Sequence, residues 1–430
     1  MSNLDPKRSE TVFEDFKDPY TPAQAMMEAN RCLYCQDPPC VKACPTSIDI
    51  PTFIRKIATE NVRGSAKTIF ESNVLGMSCA RVCPVEVLCV GDCVFNELES
   101  PPIQIGKLQR FATDAAFDAK WKFFEAGAPT GKKVALVGGG PASIACAHEL
   151  RRLGHACTIF EKGDVLGGLD TTGVAPYKMR ADRAVEEVEW VLGIGGVEIR
   201  SGVNVGKDVT FEQLEKDYDA VFLGLGLGAD SRLGVPGEDL PSVIGAVAFI
   251  EKFKLGAVDL SIVNRAVVVG GGNTAIDAVR ELVGLGIPSV TMVYRGTHAQ
   301  MSGYEHEHEA AVLEGVRYAW QTQPYAFEAG RVLCTKLDDA KKPITGSEHA
   351  IEADLVLLAI GQAKLGDLVG HLSGVKLEKG RIVVDADGFT GRPKFYSGGD
   401  CANGGKEVVN AAAEGKRAAR AIDRSFGKGA

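Results

Sequence analysis

Eight of the twelve cysteines in this 430-residue chain fall within its first hundred residues. Four of them form the run C-x2-C-x4-C-x3-C-P between Cys32 and Pro45, and four more lie between Cys79 and Cys93. The N-terminal segment is charged and has no apolar stretch of the signal-peptide kind, which predicts a reducing, cytoplasmic location where disulfides are rare. Clustered thiols in such a compartment indicate metal binding instead of disulfide bridging.

The spacing of these cysteines discriminates between two kinds of metal site. Structural zinc usually takes its ligands from short Cys-x-x-Cys pairs, and in the opening run only Cys32 and Cys35 have that spacing. The run resembles the bacterial ferredoxin pattern, although its middle gap is wider, and in that pattern the last cysteine ligates a second cluster. The pattern therefore favours iron–sulfur clusters, with Cys32, Cys35 and Cys40 on one cluster and Cys44 on another. Structural zinc is the alternative.

The elements that carry these cysteines are predicted to form a helical module over residues 1–128. The segment Thr21–Gln24 predicts a helix start, because it supplies a hydroxyl cap, a proline in the first turn and the glutamine of a capping box. Further helical stretches are predicted over residues 50–73, between the two cysteine sets, and over residues 104–121, after them. A segment rich in glycine and proline then precedes a change of pattern at Lys133.

From Lys133 onward, apolar strand patterns alternate with helical patterns, which is typical of doubly wound α/β sheets. The segment 133–162 is repeated in residues 265–295, and each copy shows a strand, a glycine-rich turn, a helix and a second strand. A glycine-rich turn between a strand and a helix can hold a pyrophosphate against the positive end of the helix. The sequence therefore predicts two dinucleotide sites.

The first glycine turn has the features of a complete dinucleotide site. Its residues are Gly138, Gly139, Gly140, Pro141, Ala142 and Ser143. Gly138 allows the tight turn and Gly140 allows the close approach of a pyrophosphate, whereas Ser143 replaces the expected glycine or alanine. Glu161, at the end of the next strand, has the position of a carboxylate that accepts ribose hydroxyls. The alternative is a glycine turn that only packs a helix on a strand.

The second glycine turn differs from the first at the ribose position. Its residues are Gly270, Gly271, Gly272, Asn273, Thr274 and Ala275. When the two copies are aligned, Tyr294 stands where the first copy has Glu161, and Arg295 follows it. An arginine can hold a 2′-phosphate that a carboxylate would repel, so NADP(H) is predicted in preference to NAD(H). The alternative is that the Arg295 side chain points only to solvent.

A motif near the end of the chain assigns the first site to FAD. The segment 396–405, YSGGDCANGG, places Asp400 after a strand and shortly before a helix that starts near Val408. The aspartate can accept a hydrogen bond from a ribityl hydroxyl, and the helix N-terminus can stabilise negative charge on a reduced flavin. The alternative is an ordinary aspartate in a turn.

Several of these motifs together resemble a known family. The stretches GGGPASIA, FEK…LGGL, GVPGE, VVVGGGNTAIDAVR and GGDCANGGKEVVNAAAEGK are similar to those of the glutamate synthase small subunit and of the N-terminal half of dihydropyrimidine dehydrogenase, over essentially the whole chain. The resemblance implies an α/β protein with an N-terminal α-helical iron–sulfur module and two interleaved doubly wound domains. The implied boundaries are 1–128 for the module, 129–245 and 362–430 for the FAD domain, and 246–361 for the inserted NAD(P) domain.

The same resemblance implies which residues contact the cofactors. The ligands would be Cys32, Cys35, Cys40 and Cys93 for the first cluster, and Cys44, Cys83, Cys89 and the Gln109 amide for the second. Cys79 would then be unligated, although the residues alone would favour Cys79 as the eighth thiolate, so both possibilities stay open. Beyond the two glycine turns, the expected nucleotide contacts are Lys162, Gly168, Leu169, Gly226, Gly361, Gly399, Asp400 and Val408.

Together these features predict an electron-transfer oxidoreductase subunit. A nicotinamide gives two electrons as hydride, a cluster takes one at a time, and a flavin can do both. The predicted path joins NAD(P)H, FAD and two [4Fe–4S] clusters to a separate catalytic subunit or a ferredoxin-type partner, within a hetero-oligomer. No catalytic acid, base or nucleophile is expected in this chain. The alternative is a nucleotide-binding scaffold that holds metal structurally and has no turnover.

Other features of the sequence have plainer interpretations. The net charge of −8 gives no sign of a nucleic-acid surface, and no apolar run is long enough to span a membrane. The cysteines outside the module are Cys146, Cys157, Cys334 and Cys401. They form no Cys-x-x-Cys pair, which argues against a redox disulfide. The segment 305–309, EHEHE, is predicted to be an exposed helix start near the NAD(P) pocket, because His306 and His308 do not share a helix face; a metal site is the alternative.

Overall fold

The computed structural model describes residues 4–15 and 17–427, and its N-terminal module is helical. The helices of the module are α1 (Pro22–Asn30), α2 (Pro39–Ala43), α3 (Ile50–Ala58), α4 (Val62–Ser72), α5 (Gly76–Val82) and α6 (Ile105–Asp118). The predicted capping box is confirmed, because the Thr21 side chain accepts from the Gln24 amide and the Gln24 side chain accepts in return. The stretch 50–73 divides into two helices, because the Asn61 side chain caps α4.

The next part of the chain contains most of a parallel sheet. Its elements are β1 (Lys133–Val137), α7 (Pro141–Arg152), β2 (Ala156–Phe160), α8 (Leu169–Thr172), α9 (Ala181–Leu192), β3 (Val197–Arg200), α10 (Phe211–Asp217) and β4 (Ala220–Leu223). β1 pairs in parallel with β2 on one side and with β4 on the other. All residues of β4 and nearly all of β1 are apolar and buried, as is usual for parallel strands that helices cover on both faces.

A second unit of the same kind follows. Its elements are β5 (Val243–Gly245), α11 (Ala246–Leu255), β6 (Arg265–Val269), α12 (Asn273–Gly284), β7 (Ser289–Val293), α13 (Glu305–Leu313), β8 (Arg317–Ala319), β9 (Thr322–Glu328), β10 (Arg331–Lys336), β11 (His349–Glu352) and β12 (Leu355–Leu358). The order of its parallel sheet is β5-β12-β6-β7-β8, and β11-β10-β9 form an antiparallel sheet. β5 pairs with β12, so residues 243–245, which the sequence analysis assigned to the FAD domain, lie in the sheet of the inserted unit.

The chain then returns to the first sheet. The returning elements are α14 (Gly366–Val369), β13 (Leu377–Glu378), β14 (Arg381–Ile382), β15 (Phe395–Ser397), α15 (Asp400–Asn403) and α16 (Val408–Gly427). β15 pairs in parallel with β4, which gives the order β15-β4-β1-β2-β3. The second unit is therefore inserted into the first. The expected domain ends, 1–3 and 428–430, lie outside the described residues. Along the described helices, none combines the length and the apolar character that a membrane crossing requires.

Two neighbouring segments connect the inserted unit with the rest of the chain. The amide of Gly228 donates to the carbonyl of Ala363 at 2.8 Å, and the amide of Ala363 donates to the carbonyl of Ala229 at 2.7 Å. The amide of Ser231 donates to the carbonyl of Gly361 at 2.9 Å. The outgoing and the returning chain thus form a short antiparallel ladder.

The arm that precedes α1 packs on the two nucleotide-binding units. The amide of Ser9 donates to the carbonyl of Gly256 at 3.0 Å, and the ring of Phe13 lies 6.3 Å from that of Phe253 in the inserted unit. Glu10 is buried and accepts hydrogen bonds from the Ala181 amide, at the start of α9. Residues 9–13, which were predicted to belong to the cluster module, therefore pack against the nucleotide-binding units.

A buried carboxylate on α9 joins the cluster module to the first sheet. Glu187 accepts hydrogen bonds from the Met77 amide at 2.7 Å, from the Ser78 amide at 3.0 Å and from the Ser78 hydroxyl. At the start of α5 these amides have no acceptor within the helix. The Leu75 side chain in the N-cap position cannot accept a hydrogen bond, so Glu187 caps the helix instead. Burial, and then the nearby Asp170, raises the pKa of Glu187 to about 8, although the bonds from Ser78 and Met77 favour its charged form.

We expect Glu187 to make the stability of the protein depend on pH. Its pKa of about 8 in the folded state exceeds that of an exposed glutamate, so its contribution is full at low pH and is lost as the pH rises towards about 8. In Glu187→Gln, the fall in Tm between about pH 6 and pH 8 should be smaller than in the wild type, by roughly 2–4 °C. Circular dichroism on cluster-loaded protein measures this difference.

The matched control is Glu186→Gln on the same helix, because the Glu186 side chain is 42% exposed and pairs with Arg183. This variant should follow the wild-type pH dependence. Equal slopes for Glu187→Gln and the wild type would show that Glu187 does not hold the extra proton.

Candidate functional site

The structure brings four of the expected cluster ligands around one cavity. Cys32, Cys35, Cys40 and Cys93 line it, together with apolar side chains such as that of Phe95. Cys32 follows the end of α1, Cys40 lies on α2, and Cys93 belongs to the loop before α6. The cavity therefore depends on the packing of these three elements. Four thiols within otherwise apolar walls fit an iron–sulfur cluster, which is held by cysteine thiolates.

The thiols of this cavity lie in surroundings that oppose a free thiolate. Burial, followed by the proximity of Cys32 and Cys93, raises the pKa of Cys40 to about 12. Burial also raises the pKa of Cys32. Because cysteine must be deprotonated to bind a metal, a cationic group has to displace these protons. The surroundings therefore keep these thiols protonated unless a metal ion displaces the protons.

A second group of thiols lies beside the first. Burial raises the pKa of Cys89, and the next contributions come from the nearby Cys83 and Cys44. Cys44 stands at the C-terminal end of α2 and Cys83 at that of α5. Two helix ends and the turn after them therefore place Cys44, Cys83 and Cys89 close together, as the expected second ligand set requires.

Of the two candidates for the eighth ligand, Cys79 belongs to α5 and Gln109 contacts it. Cys79 lies one turn before Cys83, and its sulfur accepts a hydrogen bond from the Asn73 amide at 3.1 Å. Gln109, on α6, is buried, and its amide nitrogen donates to the Gly76 carbonyl at 2.7 Å. This bond fixes the orientation of the Gln109 amide and leaves its oxygen as the atom that can bind iron. Both side chains are thus oriented by a hydrogen bond with the segment 73–76.

The first glycine turn has the backbone geometry of a phosphate-binding loop. Gly138 has a φ of +94°, and a Cβ atom there would lie 2.4 Å from the Gly224 carbonyl oxygen, so only glycine fits. Gly140 occupies the N-cap position of α7. The space beside Gly140 is open, since the nearest atom to an added Cβ, on Gly168, is 4.0 Å away. A pyrophosphate can therefore approach the start of α7.

Glu161 stands at the end of β2, where the sequence places the ribose-binding carboxylate. Its two oxygens accept hydrogen bonds from the Gly139 and Gly163 amides, both at 2.7 Å. Lys162, beside it, is exposed. Because each carboxylate oxygen can accept more than one hydrogen bond, Glu161 is oriented by the backbone and can still bind ribose hydroxyls.

The serine in the third position of the turn is accommodated by a glycine opposite. Ser143 is buried, and among the residues that the structure describes its hydroxyl has no hydrogen-bond partner. A Cβ atom on Gly224 would lie 2.2 Å from this hydroxyl oxygen, so β4 can approach α7 because Gly224 has no side chain. In the same way, a Cβ atom on Gly415 of α16 would lie 2.0 Å from the Ala142 carbonyl oxygen. Helices α7 and α16 therefore touch through their backbones.

The end of the chain brings Asp400 and the start of α16 to the same turn. Gly399 has a φ of +77°, and a Cβ atom there would lie 3.0 Å from the Ala142 side chain. Asp400 is half-buried, and burial raises the pKa of its carboxyl group. Val408 begins α16, as expected. The three features attributed to a flavin site, namely the first turn, the aspartate and the helix start, therefore meet at one place.

Two further glycines expected at the cofactors face open space. Gly226, just beyond β4, has a φ of +67°, and Gly361, just beyond β12, has a φ of +101°. A Cβ atom at either position would meet no atom of the described residues within 4 Å. Both glycines follow the carboxyl ends of parallel strands, where α/β sheets bind ligands. Gly168 and Leu169, in contrast, form the start of α8 next to the first turn.

The second glycine turn repeats this geometry in the inserted unit. Gly270 follows β6, and a Cβ atom there would lie 2.3 Å from the Ala359 carbonyl oxygen. Gly272 occupies the N-cap position of α12, again without a side chain. The Asn273 side chain accepts a hydrogen bond from the Tyr304 amide at 2.9 Å. The segment before α13 is thereby fixed beside the second turn.

The position predicted for the ribose of the second nucleotide carries a cation instead of a carboxylate. The Tyr294 ring lies against Gly271, where an added Cβ atom would be 2.5 Å from a ring carbon. Arg295 is exposed just after β7, and Thr274 is exposed at the start of α12, whereas Ala275 is buried. The Arg295 guanidinium is therefore accessible to a phosphate group from solvent.

A polar network that was not predicted from the sequence joins the inserted unit to the rest of the chain. The Tyr304 hydroxyl donates to Glu407, the residue before α16, at 2.7 Å. Lys178 forms ion pairs with Asp277 at 2.9 Å and with Glu307 at 2.6 Å. Tyr304 and Glu407 are 103 residues apart, so no local pattern could have identified these partners.

The cysteines outside the module are core residues. They are Cys146 on α7, Cys157 on β2, Cys334 on β10 and Cys401 on α15, and all of them are buried. Burial raises the pKa of Cys157 and that of Cys334 to about 12. The cysteine thiols of the described residues are all free.

The fold and these sites define a class of oxidoreductase in which a cysteine-rich helical module precedes two interleaved nucleotide-binding units. Two family profiles match the chain in this arrangement. One is described as dihydropyrimidine dehydrogenase domain II, 4Fe-4S cluster, and matches residues 8–121. The other is described as pyridine nucleotide-disulphide oxidoreductase and matches residues 132–415. The chain belongs to the pyridine nucleotide-disulphide oxidoreductase family and carries this iron–sulfur module at its N-terminal side.

Similar proteins match the chain over nearly its whole length. The glutamate synthase [NADPH] small chain of Escherichia coli (strain K12) is 35% identical over 443 residues, which cover 95% of this chain and 93% of that protein. A protein of Salmonella typhi named NAD-dependent dihydropyrimidine dehydrogenase subunit PreT homolog is 34% identical over 405 residues, and the match covers 94% of each chain. The resemblance predicted from the motifs is therefore confirmed.

A solved structure supports the nucleotide-binding fold. The thioredoxin reductase of T. acidophilum superposes with a TM-score of 0.55 and 22% identity, and the match covers 69% of this chain and 99% of that one. The family profiles and the relatives together identify an electron-transfer oxidoreductase subunit with iron–sulfur and flavin cofactors. The alternative of a scaffold without turnover has no support from these matches.

Proposed function

We propose that this chain passes electrons between NADP(H) and a separate protein, through FAD at the first glycine turn and two [4Fe–4S] clusters in the module. The observation that carries this proposal is the cavity lined by Cys32, Cys35, Cys40 and Cys93, in a module that Glu187 fixes to the first sheet. When bound, the flavin supplies the conversion between electron pairs and single electrons. The residues of the chain bind, orient and shield these groups, and no side chain acts as an acid, base or nucleophile.

The proposed cluster ligands follow from the two thiol groups. They are Cys32, Cys35, Cys40 and Cys93 for the first cluster, and Cys44, Cys83, Cys89 and Gln109 for the second. Cys79 then stays outside the second cluster with the hydrogen bond from Asn73. An amide in place of a thiolate makes a cluster less negative, which raises its reduction potential when other factors are equal.

The proposed nucleotide contacts follow from the two glycine turns. In the FAD site, the pyrophosphate lies at the start of α7, the ribose at Glu161, the ribityl chain at Asp400 and the ring at the start of α16, at Val408. In the inserted unit, the pyrophosphate lies at the start of α12 and the 2′-phosphate at Arg295. Because one relative is named for NADPH and the other for NAD, the exposed Arg295 is the argument for NADP(H) in this chain.

The proposed partner is a catalytic subunit in a cytoplasmic hetero-oligomer. The relative from Escherichia coli is the small chain of glutamate synthase, and that from Salmonella typhi is named as a dihydropyrimidine dehydrogenase subunit homologue. A partner of either type, or a ferredoxin-type protein, would carry out the second half-reaction. This chain would supply or withdraw the electrons for it.

The purified chain with its cofactors should therefore react with nicotinamide but not with an organic substrate. Under anaerobic conditions, NADPH should bleach the flavin absorbance, and the chain should then reduce an artificial dye. Glutamine and uracil should not be converted. Conversion of either compound by the isolated chain would overturn the division of labour, and a colourless zinc protein would overturn the redox function itself.

Cys79→Ser should leave the iron content unchanged at about eight atoms per chain, because Cys79 is not a proposed ligand. Cys89→Ser is the matched comparison and should lose the second cluster, or about four iron atoms. Iron analysis and electron paramagnetic resonance of the dithionite-reduced protein measure both effects. Loss of about four iron atoms in Cys79→Ser would establish Cys79 as the eighth ligand in place of Gln109.

Arg295→Ala should weaken the use of NADPH and leave that of NADH nearly unchanged. A charge-assisted hydrogen bond is worth about 1.5–3 kcal/mol, so KM for NADPH should rise roughly tenfold or more. Steady-state dye reduction with each nucleotide measures the change. Arg331→Ala, at an exposed pair with Glu328, is the control. Equal effects of Arg295→Ala on the two nucleotides would contradict a role in 2′-phosphate binding.

A further inference from the structure

Three side chains with metal-binding chemistry converge next to the second glycine turn. They are His298, in the turn after β7, and Glu305 and His308, on α13. Glu305 and His308 are three residues apart and therefore lie on one face of α13. One ligand atom from each of the three side chains lies within 4.8 Å of the other two. His306, which the sequence analysis placed on a different helix face from His308, lies 3.6 Å from Glu86.

The distances within this group are close to those of a metal site. Nε2 of His298 lies 3.1 Å from Oε1 of Glu305, and the ring centroids of His298 and His308 are 4.3 Å apart. Zinc binds histidine nitrogen at about 2.0–2.1 Å, so tetrahedral ligand atoms lie roughly 3.3 Å from one another. Small side-chain rotations would therefore bring the three ligand atoms to bonding distance of one ion.

His308 provides independent support for a ligand at this place. Its side chain belongs to a residue that is only 7% exposed, and its Nδ1 atom has no hydrogen-bond partner among the described residues. The rings of Tyr318 and Trp320 lie 4.7 Å and 5.8 Å from the His308 ring. A buried polar atom without a hydrogen-bond partner lowers the stability of the folded protein. Coordination of an ion by the His308 imidazole would give this group the partner that it lacks.

We propose that His298, Glu305 and His308 bind a divalent transition-metal ion, and that zinc is a suitable one. Two imidazoles and one carboxylate form a known zinc ligand set, and water fills the fourth position of such open sites. Thr297 starts the turn that carries His298, and the amides of Ser302 and Gly303 donate to the Gly271 carbonyl at 3.1 Å. The ion would thus connect the segment 297–303, which is bonded to the second glycine turn, to helix α13.

The test is equilibrium dialysis of the flavin- and cluster-loaded chain against Zn²⁺, with zinc and iron measured together. The wild type should take up about one zinc per chain without loss of iron. His298→Gln should bind zinc at least tenfold more weakly, and its exposed side chain (46%) makes a folding defect from this change small. His306→Gln, on the same helix, is the matched control and should bind zinc as the wild type does.

A second measurement separates a metal site from a general effect on folding. Zinc should raise the Tm of the wild type and of His306→Gln, and it should leave the Tm of His298→Gln unchanged. Iron and flavin content should be equal in the three proteins. The proposal is wrong if the wild type takes up no zinc beyond its buffer background, or if His298→Gln and the wild type bind zinc equally.

Discussion

The position of the cluster module depends on the bonds that Glu187 makes across the joint with the first sheet. Electron transfer between cofactors requires that the protein hold them in fixed positions, and α5, which Glu187 caps, ends at Cys83. The helix that carries Glu187 is itself capped at its start by Glu10, from the N-terminal arm. Helix α9 is therefore held at its start by Glu10 and along its length by Glu187. It links the arm, the module and the unit that contains the first sheet.

A second constraint is the absence of side-chain bulk where the backbones meet. Gly224 admits the Ser143 hydroxyl, and Gly415 admits the Ala142 carbonyl. These contacts pack the start of α7 against α16 and against the end of β4, so the residues proposed for the pyrophosphate and for the ring of the flavin share one rigid base. Interiors packed at this density transmit even small changes of volume. The departure from the usual small residue at Ser143 is thus compensated on the neighbouring strand.

Much of the fold was predictable because its signals are local. The capping box at Thr21, both glycine turns and Glu161 each depend on residues close together in the chain, and the structure has the expected helix, turns and strand at these places. The roles of Glu187 and of the Tyr304–Glu407 pair could not be predicted, since their partners are more than 100 residues away. The segment 305–309 shows the same limit: its helix was expected, but the burial of His308 depends on aromatic side chains from β8 and its flank.

The short ladder between residues 228–231 and 361–363 also restricts how the inserted unit can move. Because both connecting segments run side by side and are bonded to each other, they act as a single pivot and not as two independent tethers. A swing of the inserted unit about this pivot would break the bond between Tyr304 and Glu407 and the ion pairs of Lys178 with Asp277 and Glu307. The orientation of the inserted unit is thereby fixed both at this pivot and at the polar contacts beside the start of α16.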